Sequence, residues 1–413
     1  MLSQLKKIKV LLTCLIFSTS IISTQSIKTT IEIGFNPSDN QSWWINKNNY
    51  GYDNYNNYQK TRIDFHKQKI ELTINLYSNL YKLNENILNE SFIKYKISED
   101  SYLKVGRYYR DFSSYLNDDL SSGSLLLSNN SNAMPKAGFV TKKRIGTDIF
   151  LDYGISHAIF DKNDVYTKAP FLHEKFIYLN FKKNSNTFKI GFVHEAMWGG
   201  TINNDNKFAG KQPQSFSDFL KIFISGDGPE DFPHSNALGN HIGIWDFVYQ
   251  KSHGDKIFKS YYQHLFEDTS GLRFKNRTDG LWGLELTNYI YKTNILIEYI
   301  NTKNQFIDPP YVSENYYSHG LYSYGWSYKD FILGNPLISP LSNNSNDYIY
   351  IGFESSLPKN FGIRINAFRI LNRRDLIKNK IEVSKKMGNG FQLKAFYIKD
   401  NKKESGFKIY KSL

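Results

Sequence analysis

Residues 188–247 hold two runs in which apolar and other residues alternate one by one: FKIGFVHEAMW (188–198) and NHIGIWDF (240–247). Strict alternation is the mark of an extended strand with two unlike faces. The C-terminal part repeats it. In YIYIGFESS (348–356), Ile349, Ile351 and Phe353 share one face and Tyr350, Gly352 and Glu354 the other. Phe361, Ile363, Ile365 and Ala367 then alternate with Gly362, Arg364, Asn366 and Phe368, and Phe391, Leu393, Ala395 and Tyr397 form the next such face. Gly, Asn and Pro separate the runs, as hairpin turns require.

Past residue 26 no run approaches the ~18 apolar residues of a membrane helix, whereas a barrel strand needs only about 9–11 residues with every second one facing lipid. Counting the runs from about residue 62 gives roughly sixteen to twenty strands at barrel-like spacing. The connections alternate in length: short at 357–360, longer at 371–379, short at 387–390 and longer at 400–405. Short periplasmic turns and longer outer loops follow if the C-terminus is periplasmic. The expected fold is an all-β, transmembrane antiparallel β-barrel of about eighteen strands, with small helical elements plugging or capping it. The chain departs from one habit of such barrels by ending on Leu413 rather than an aromatic residue.

Composition supports this. Aromatic residues make up 16 % of the chain, with 30 Tyr, 30 Phe and 6 Trp, yet mean hydropathy is −0.50. Aromatic girdles around a polar lumen give that balance. The net charge is +13, but the lysines are scattered through turns such as Lys182-Lys183 and Lys402-Lys403. The scatter argues against nucleic acid and for anionic lipid headgroups or an acidic glycan. Residues 1–26 read as a signal peptide: Lys6, Lys7 and Lys9, an apolar core from Val10 to Ile22, then Ser23-Thr24-Gln25-Ser26. Cys14, the only cysteine, lies inside that core, so the remaining 27–413 has neither a disulfide framework nor a thiolate. One barrel domain over 27–413, acting as a monomer, is the simplest organisation.

No enzyme motif is complete. His194-Glu195 and His173-Glu174 start like a zinc-protease helix, but positions 198 and 177 are Trp and Ile. Neither a metal nor a cofactor is expected. Glu195, Asp227, Glu230, Asp231 and Asp246 could flank a sugar as paired carboxylates do in a glycosidase, or serve as solvated lumen and loop charges. Glycan binding has the clearer basis, because half-wet aromatic rings suit sugar faces and amide, imidazole and carboxylate groups suit hydroxyls. The ring candidates are Trp198, Trp245, Tyr316, Tyr317, Tyr324 and Trp326. The hydrogen-bonding candidates are His194, Glu195, Asn240, His241 and Asn335. If Ile242 and Ile244 face lipid, His241 and Trp245 face inward. Trp245 and Trp326 would then be removable with loss of glycan but not of the barrel.

Three further segments carry expectations. SFSDFLKIF (215–223) places Phe216, Phe219, Leu220 and Phe223 on one helical face behind a Ser215/Asp218 capping box. It reads as a plug or barrel-end helix rather than a membrane-surface anchor. The Asn- and Tyr-rich stretch 35–60 is either a solvated segment or one tucked into the barrel with Trp43 and Trp44 buried. The Tyr-dense stretch 301–347 is expected to fold in part over the mouth or lumen and to contact glycan.

Taken in order, SWWINKNNYGY (42–52), LSSGSLLLSNNSNAMPKAGF (120–139), FLHEKFIYLNF (171–181), FKIGFVHEAMWGG (188–200), SFSDFLKIF, NALGNHIGIWDF (236–247) and YYSHGLYSYGWSYKDFILGNPL (316–337) resemble the capsule assembly Wzi family. The resemblance implies an outer-membrane barrel of about eighteen strands. It also implies a role in assembling capsular or related exopolysaccharide at the cell surface, with lectin-like glycan binding and no enzymatic activity. Polysaccharide and outer-membrane lipid, and beyond them the polysaccharide export machinery, are the partners so implied. The alternatives are a diffusion porin of the same fold and an exopolysaccharide-cleaving enzyme.

Overall fold

A computed structural model describes residues 26–35, 42–52, 57–80, 86–228, 237–305, 315–340, 345–371, 373, 377–400 and 403–413. Residues 1–25 of the 1–26 leader, the acidic candidates Glu230 and Asp231, and residues 306–314 and 341–344 of the Tyr-dense stretch lie outside them.

Nineteen strand segments form one antiparallel sheet. Asn86–Leu88 and Phe92–Lys96 lie end to end beside Ile70–Asn79, so the wall has eighteen staves. Each stave pairs with the next in sequence, and the ring closes where Thr30 meets Ser412 and Phe35 meets Phe407. Closure leaves no free strand edge, the condition for a sheet to cross hydrocarbon. No described helix is long and apolar enough to cross a membrane.

Three of the four expected connection lengths hold, short at 358–360 and 387–390 and longer at 371–377. The longer loop expected at 400–405 is only the three residues 400–402, because the strands run on to Lys399 and from Lys403. Tight turns at 184–185, 254–255, 358–360 and 387–390 share one end with Ser26 and Leu413, and the long connections share the other. Near the turns the outward rings form a girdle: Phe181 lies 6.5 Å from Phe188, and Lys385 and Lys411 sit 4.0 and 4.3 Å above Phe361 and Phe391. Rings with cations beside them mark a bilayer interface. Between the ends, Ile177, Ile297, Ile351 and Leu393 point outward and are exposed, as lipid-facing residues must be.

The lumen is filled. Residues 108–134, 42–52 and 315–340 fold back into it from the long-connection end. Trp44 packs on Tyr350 and Phe368 of the inner wall, which settles the 35–60 question for its described part in favour of the tucked form, although Trp43 stays half-buried. Buried wall carboxylates hold the 108–134 segment. Glu298 accepts from Ser121 Oγ (2.6 Å), from the Ser122 amide (2.7 Å) and from the Tyr261 hydroxyl. Asp246 accepts from Ser113 Oγ and the Tyr115 and Tyr178 hydroxyls, each at 2.6 Å. Glu285 accepts from Asn117 and Lys259. Such donors offset the cost of burying a carboxylate, so each of these three fixes a point of the plug. Plug and wall approach closely at Gly352: a Cβ there would lie 2.5 Å from the Leu120 carbonyl.

One parity is the reverse of that expected. Ile242 pairs with Glu195 and Ile244 with Val193, and all four point into the packed lumen. His241, Gly243 and Trp245 therefore face outward. The lumen is apolar here because a plug fills it, so an isoleucine face does not identify the lipid side.

Candidate functional site

The eleven candidate residues separate into three groups. The first is on the outer surface of the wall. His194 Nε2 and His241 Nδ1 share a hydrogen bond of 2.9 Å, and the second nitrogen of His241 reaches the Leu238 carbonyl at 2.8 Å. Trp198 packs between Phe171 (5.3 Å) and Phe219 (5.9 Å). Trp245 meets Phe192 edge-on at 4.9 Å and donates Nε1 to the Leu272 carbonyl at 3.2 Å. None of these rings opens into the mouth.

The second group is buried inside the barrel, and four of its six members hold the plug together. Trp326 is 0 % exposed, and its Nε1 donates to the Leu126 carbonyl at 2.8 Å. Tyr317 donates to the Leu125 carbonyl at 2.7 Å, and Asn335 Nδ2 donates to Ser122 Oγ and the Gly123 carbonyl. Tyr316 donates to Asp279 at 2.9 Å. Glu195 is enclosed beside Glu174, which accepts from Lys136 and Ser156, and Asn240 is buried at the rim end of its strand. Trp326 therefore offers a ligand no ring face. It is a keystone of the fill, so its removal would loosen the plug rather than take away a sugar contact. The carboxylates do not converge as a glycosidase pair either, since Asp246 is taken up by two donors of the plug and by Tyr178 of the wall, Glu195 is walled in and Asp227 lies in the surface connection.

Tyr324 alone forms the third group, and it sits at the outer rim. Three short strands there, Tyr166–Lys168, Thr201–Ile202 and Gly210–Lys211, make a small sheet. Tyr166 is buried beneath it, 6.2 Å from the Tyr322 ring and 6.0 Å from Tyr324, which it meets edge-on. Asn204 crosses to the Leu321 carbonyl (2.8 Å) and Ser323 Oγ (3.0 Å), and Asn206 crosses to the Gly320 carbonyl (3.2 Å). Tyr324 is left half-buried, and its hydroxyl donates to Asp330.

Asp330 lies in the two-residue hairpin between Ser327–Tyr328 and Phe331–Ile332. Lys329 and Asp330 both take left-handed backbone, with φ of 49° and 66°. Side chains other than Gly pay about 1–2 kcal/mol for that conformation. The hairpin is held by the Lys329 amide, which donates to Asp161, and by Arg107, which donates to the Tyr328 hydroxyl at 3.1 Å. Burial pushes the Asp161 carboxyl up and the Lys329 ammonium down from their ordinary values. The arrangement presents a half-buried ring with the Asp330 and Asp161 carboxylates near it and the Lys329 ammonium 5.7 Å over the Tyr328 ring. That can stack on a sugar face and bind its hydroxyls. Lys329, Asp330 and Asp161 were not among the sequence candidates. The signal was SYKDFI, where two polar residues between two aromatic-bearing pairs spell a tight hairpin.

His319 sets the rim's pH response. Its Nδ1 accepts from the Leu321 and Tyr322 amides at 3.2 and 3.1 Å. Burial first, and then the neighbouring His241, push its pKa down from 6.5 to about 4. The folded rim thus favours the neutral ring: the stabilisation is complete above 6.5 and is lost as pH falls through that value towards 4. Protection of the Leu321 and Tyr322 amides, taken relative to their intrinsic exchange rate at each pH, should fall as the solution is acidified across this window. In His319→Ala that pH-dependent fall should vanish.

A closed barrel with an apolar outer belt, an interfacial aromatic girdle and a lumen packed by its own outer loops defines a plugged outer-membrane barrel. The sequence profile of the family described as capsule assembly protein Wzi matches residues 46–340, and the chain belongs to that family. Among solved structures the chain is similar to one described as Wzi, an outer-membrane protein involved in group 1 capsule assembly in Escherichia coli and a carbohydrate-binding β-barrel. The TM-score is 0.60 at 14 % identity, over 94 % of this chain and 84 % of that one. Porin variants described as from Rh. blastica also align over 94 % of the chain, at TM-scores of 0.42 and 0.41 and 9 % identity. No curated protein sequence matches the chain.

Proposed function

We propose that this chain binds capsular or related extracellular polysaccharide at the cell surface and holds it there, without chemical conversion. The observation that carries the reading is the filled lumen. Three inward-folding segments, one of them (108–134) tied to buried wall carboxylates, leave a barrel suited to display rather than diffusion, and they set Tyr324, Asp330 and Lys329 at the outer rim. The family supports the capsule role, and the carbohydrate-binding description of the Escherichia coli structure supports the ligand class. Polysaccharide delivered by the export machinery would meet this rim first.

The test is binding of the cell's own purified polysaccharide to the detergent-solubilised barrel. Tyr324→Ala should weaken it about tenfold, ~1.4 kcal/mol, by removing the stacking ring. Asp330→Asn should weaken it less. Both variants should keep the wild-type heat-modifiable gel migration, because Tyr324 is a half-exposed rim residue. Unchanged affinity in both would overturn the rim as the glycan site. Sugar released from the polymer would point to the cleaving enzyme instead.

A further inference from the structure

The helix Phe216–Ile224 does not plug the barrel; it lies against the outside of the wall. Its Ser215/Asp218 capping box forms as the sequence spells it, but the contacts run to outward-facing residues. Phe219 lies 5.2 Å from His157 and 5.4 Å from His173, and Phe223 lies 5.4 Å from His173. Ser225 Oγ sits 3.2 Å from His194 Nε2, and Lys175 Nζ caps the helix end by donating to the Phe223 carbonyl. Ile222, 0 % exposed, joins Ala196, Trp198 and Leu238 in a core separate from that of the lumen.

Two physical facts follow. The patch under the helix holds four imidazoles and one ammonium on the face that lower down meets hydrocarbon, with Ile177 two residues below Lys175 and Phe192 two below His194. Uncovered, those polar groups would carry a desolvation cost in the bilayer. The helix covers them, yet turns most of its own apolar side chains away from the protein. Phe216 is 76 % exposed and Ile224 73 %, with Leu220 exposed beside them and Phe223 at the border, touching His173 on one side and open on the other. These four fall at i, i+4, i+7 and i+8, one face of a helix. A nine-residue helix in water does not support such a face.

We infer that this helix is an interfacial membrane helix, its Phe216, Leu220, Phe223 and Ile224 seated in the outer leaflet of the bilayer that the barrel spans. The occupant follows from continuity, since the exposed face extends the lipid-facing belt of the adjoining staves at its outer edge. Such helices bury their apolar face about 5–10 Å into the headgroup and acyl boundary. The wall patch is thereby sealed, and the 199–239 connection that reaches the rim through Asn204 and Asn206 is moored to the membrane.

The test uses the whole barrel without its leader, reconstituted in liposomes. That form carries no cysteine, because Cys14 is the only one in the chain. An environment-sensitive fluorophore is placed at Leu220→Cys, at Phe216→Cys, and at Lys207→Cys, an exposed position of the same connection. Folding of each variant is checked by heat-modifiable migration. The inference expects the 216 and 220 labels to emit to the blue of the 207 label and to be quenched by lipid bearing a spin label on its acyl chain. Their quenching by aqueous iodide should be several-fold weaker than at 207. Iodide quenching at 216 and 220 equal to that at 207, with no effect of the lipid-borne quencher, would overturn it.

Discussion

Trp326→Ala should cost about 3–5 kcal/mol, the range for emptying a fully enclosed large aromatic site. The indole is 0 % exposed, lies 6.3 Å from Phe160 and donates to the Leu126 carbonyl, so the substitution removes both a packed volume and a hydrogen bond between two plug segments. The wall itself closes through backbone pairing that Trp326 does not touch. The barrel should therefore still resist denaturation in the gel, while protease cleaves within 315–340 and 119–134, segments protected in the unaltered protein. A capsule defect in this variant would report a loosened plug and not a lost sugar contact, which is why Tyr324 and Asp330 are the discriminating positions.

Glu298→Ala is expected to have an effect of similar size. Three buried donors, Ser121 Oγ, the Ser122 amide and the Tyr261 hydroxyl, lose their common acceptor. At about 1–3 kcal/mol for each buried donor left unpaired, the 119–125 turn should detach from the wall. Planar-bilayer recording gives the readout. The unaltered barrel should pass little current, and Glu298→Ala should pass larger and noisier currents as the turn swings free. Glu298→Gln keeps an acceptor oxygen and should fall between them. Currents of porin size from the unaltered protein would contradict the filled lumen on which both predictions stand.

The wall was legible in the sequence because alternation, turn residues and connection lengths are local properties. What alternation does not tell is which face is wet, oily or packed. Ile242 and Ile244 were assigned to lipid on hydrophobicity alone, although Asp246 shares their face, and a carboxylate on the lipid side is costly. With Asp246 turned inward, the two isoleucines and Val248 follow it into the lumen. Tyr317, Trp326 and Asn335 were misread for a related reason. Residues dense in rings and amides serve a buried plug as well as a sugar, and only their partners, 192 to 213 positions away in sequence, distinguish the two uses. The helix shows the same limit. Its capping box and apolar face were both readable, but the surface it rests on is assembled from strands that begin at residues 149, 171, 186 and 240. Lys329 and Asp330 escaped notice because their importance lies in backbone conformation at a hairpin, not in a motif.

The central claim is that this outer-membrane barrel keeps polysaccharide on the cell. Deleting its gene and measuring polysaccharide in the cell pellet and in the medium tests it directly. The account predicts unchanged total polymer with the cell-bound share moved into the medium, restored by the unaltered gene and only poorly by Tyr324→Ala. A deletion strain that holds as much polymer on its surface as its parent would contradict it.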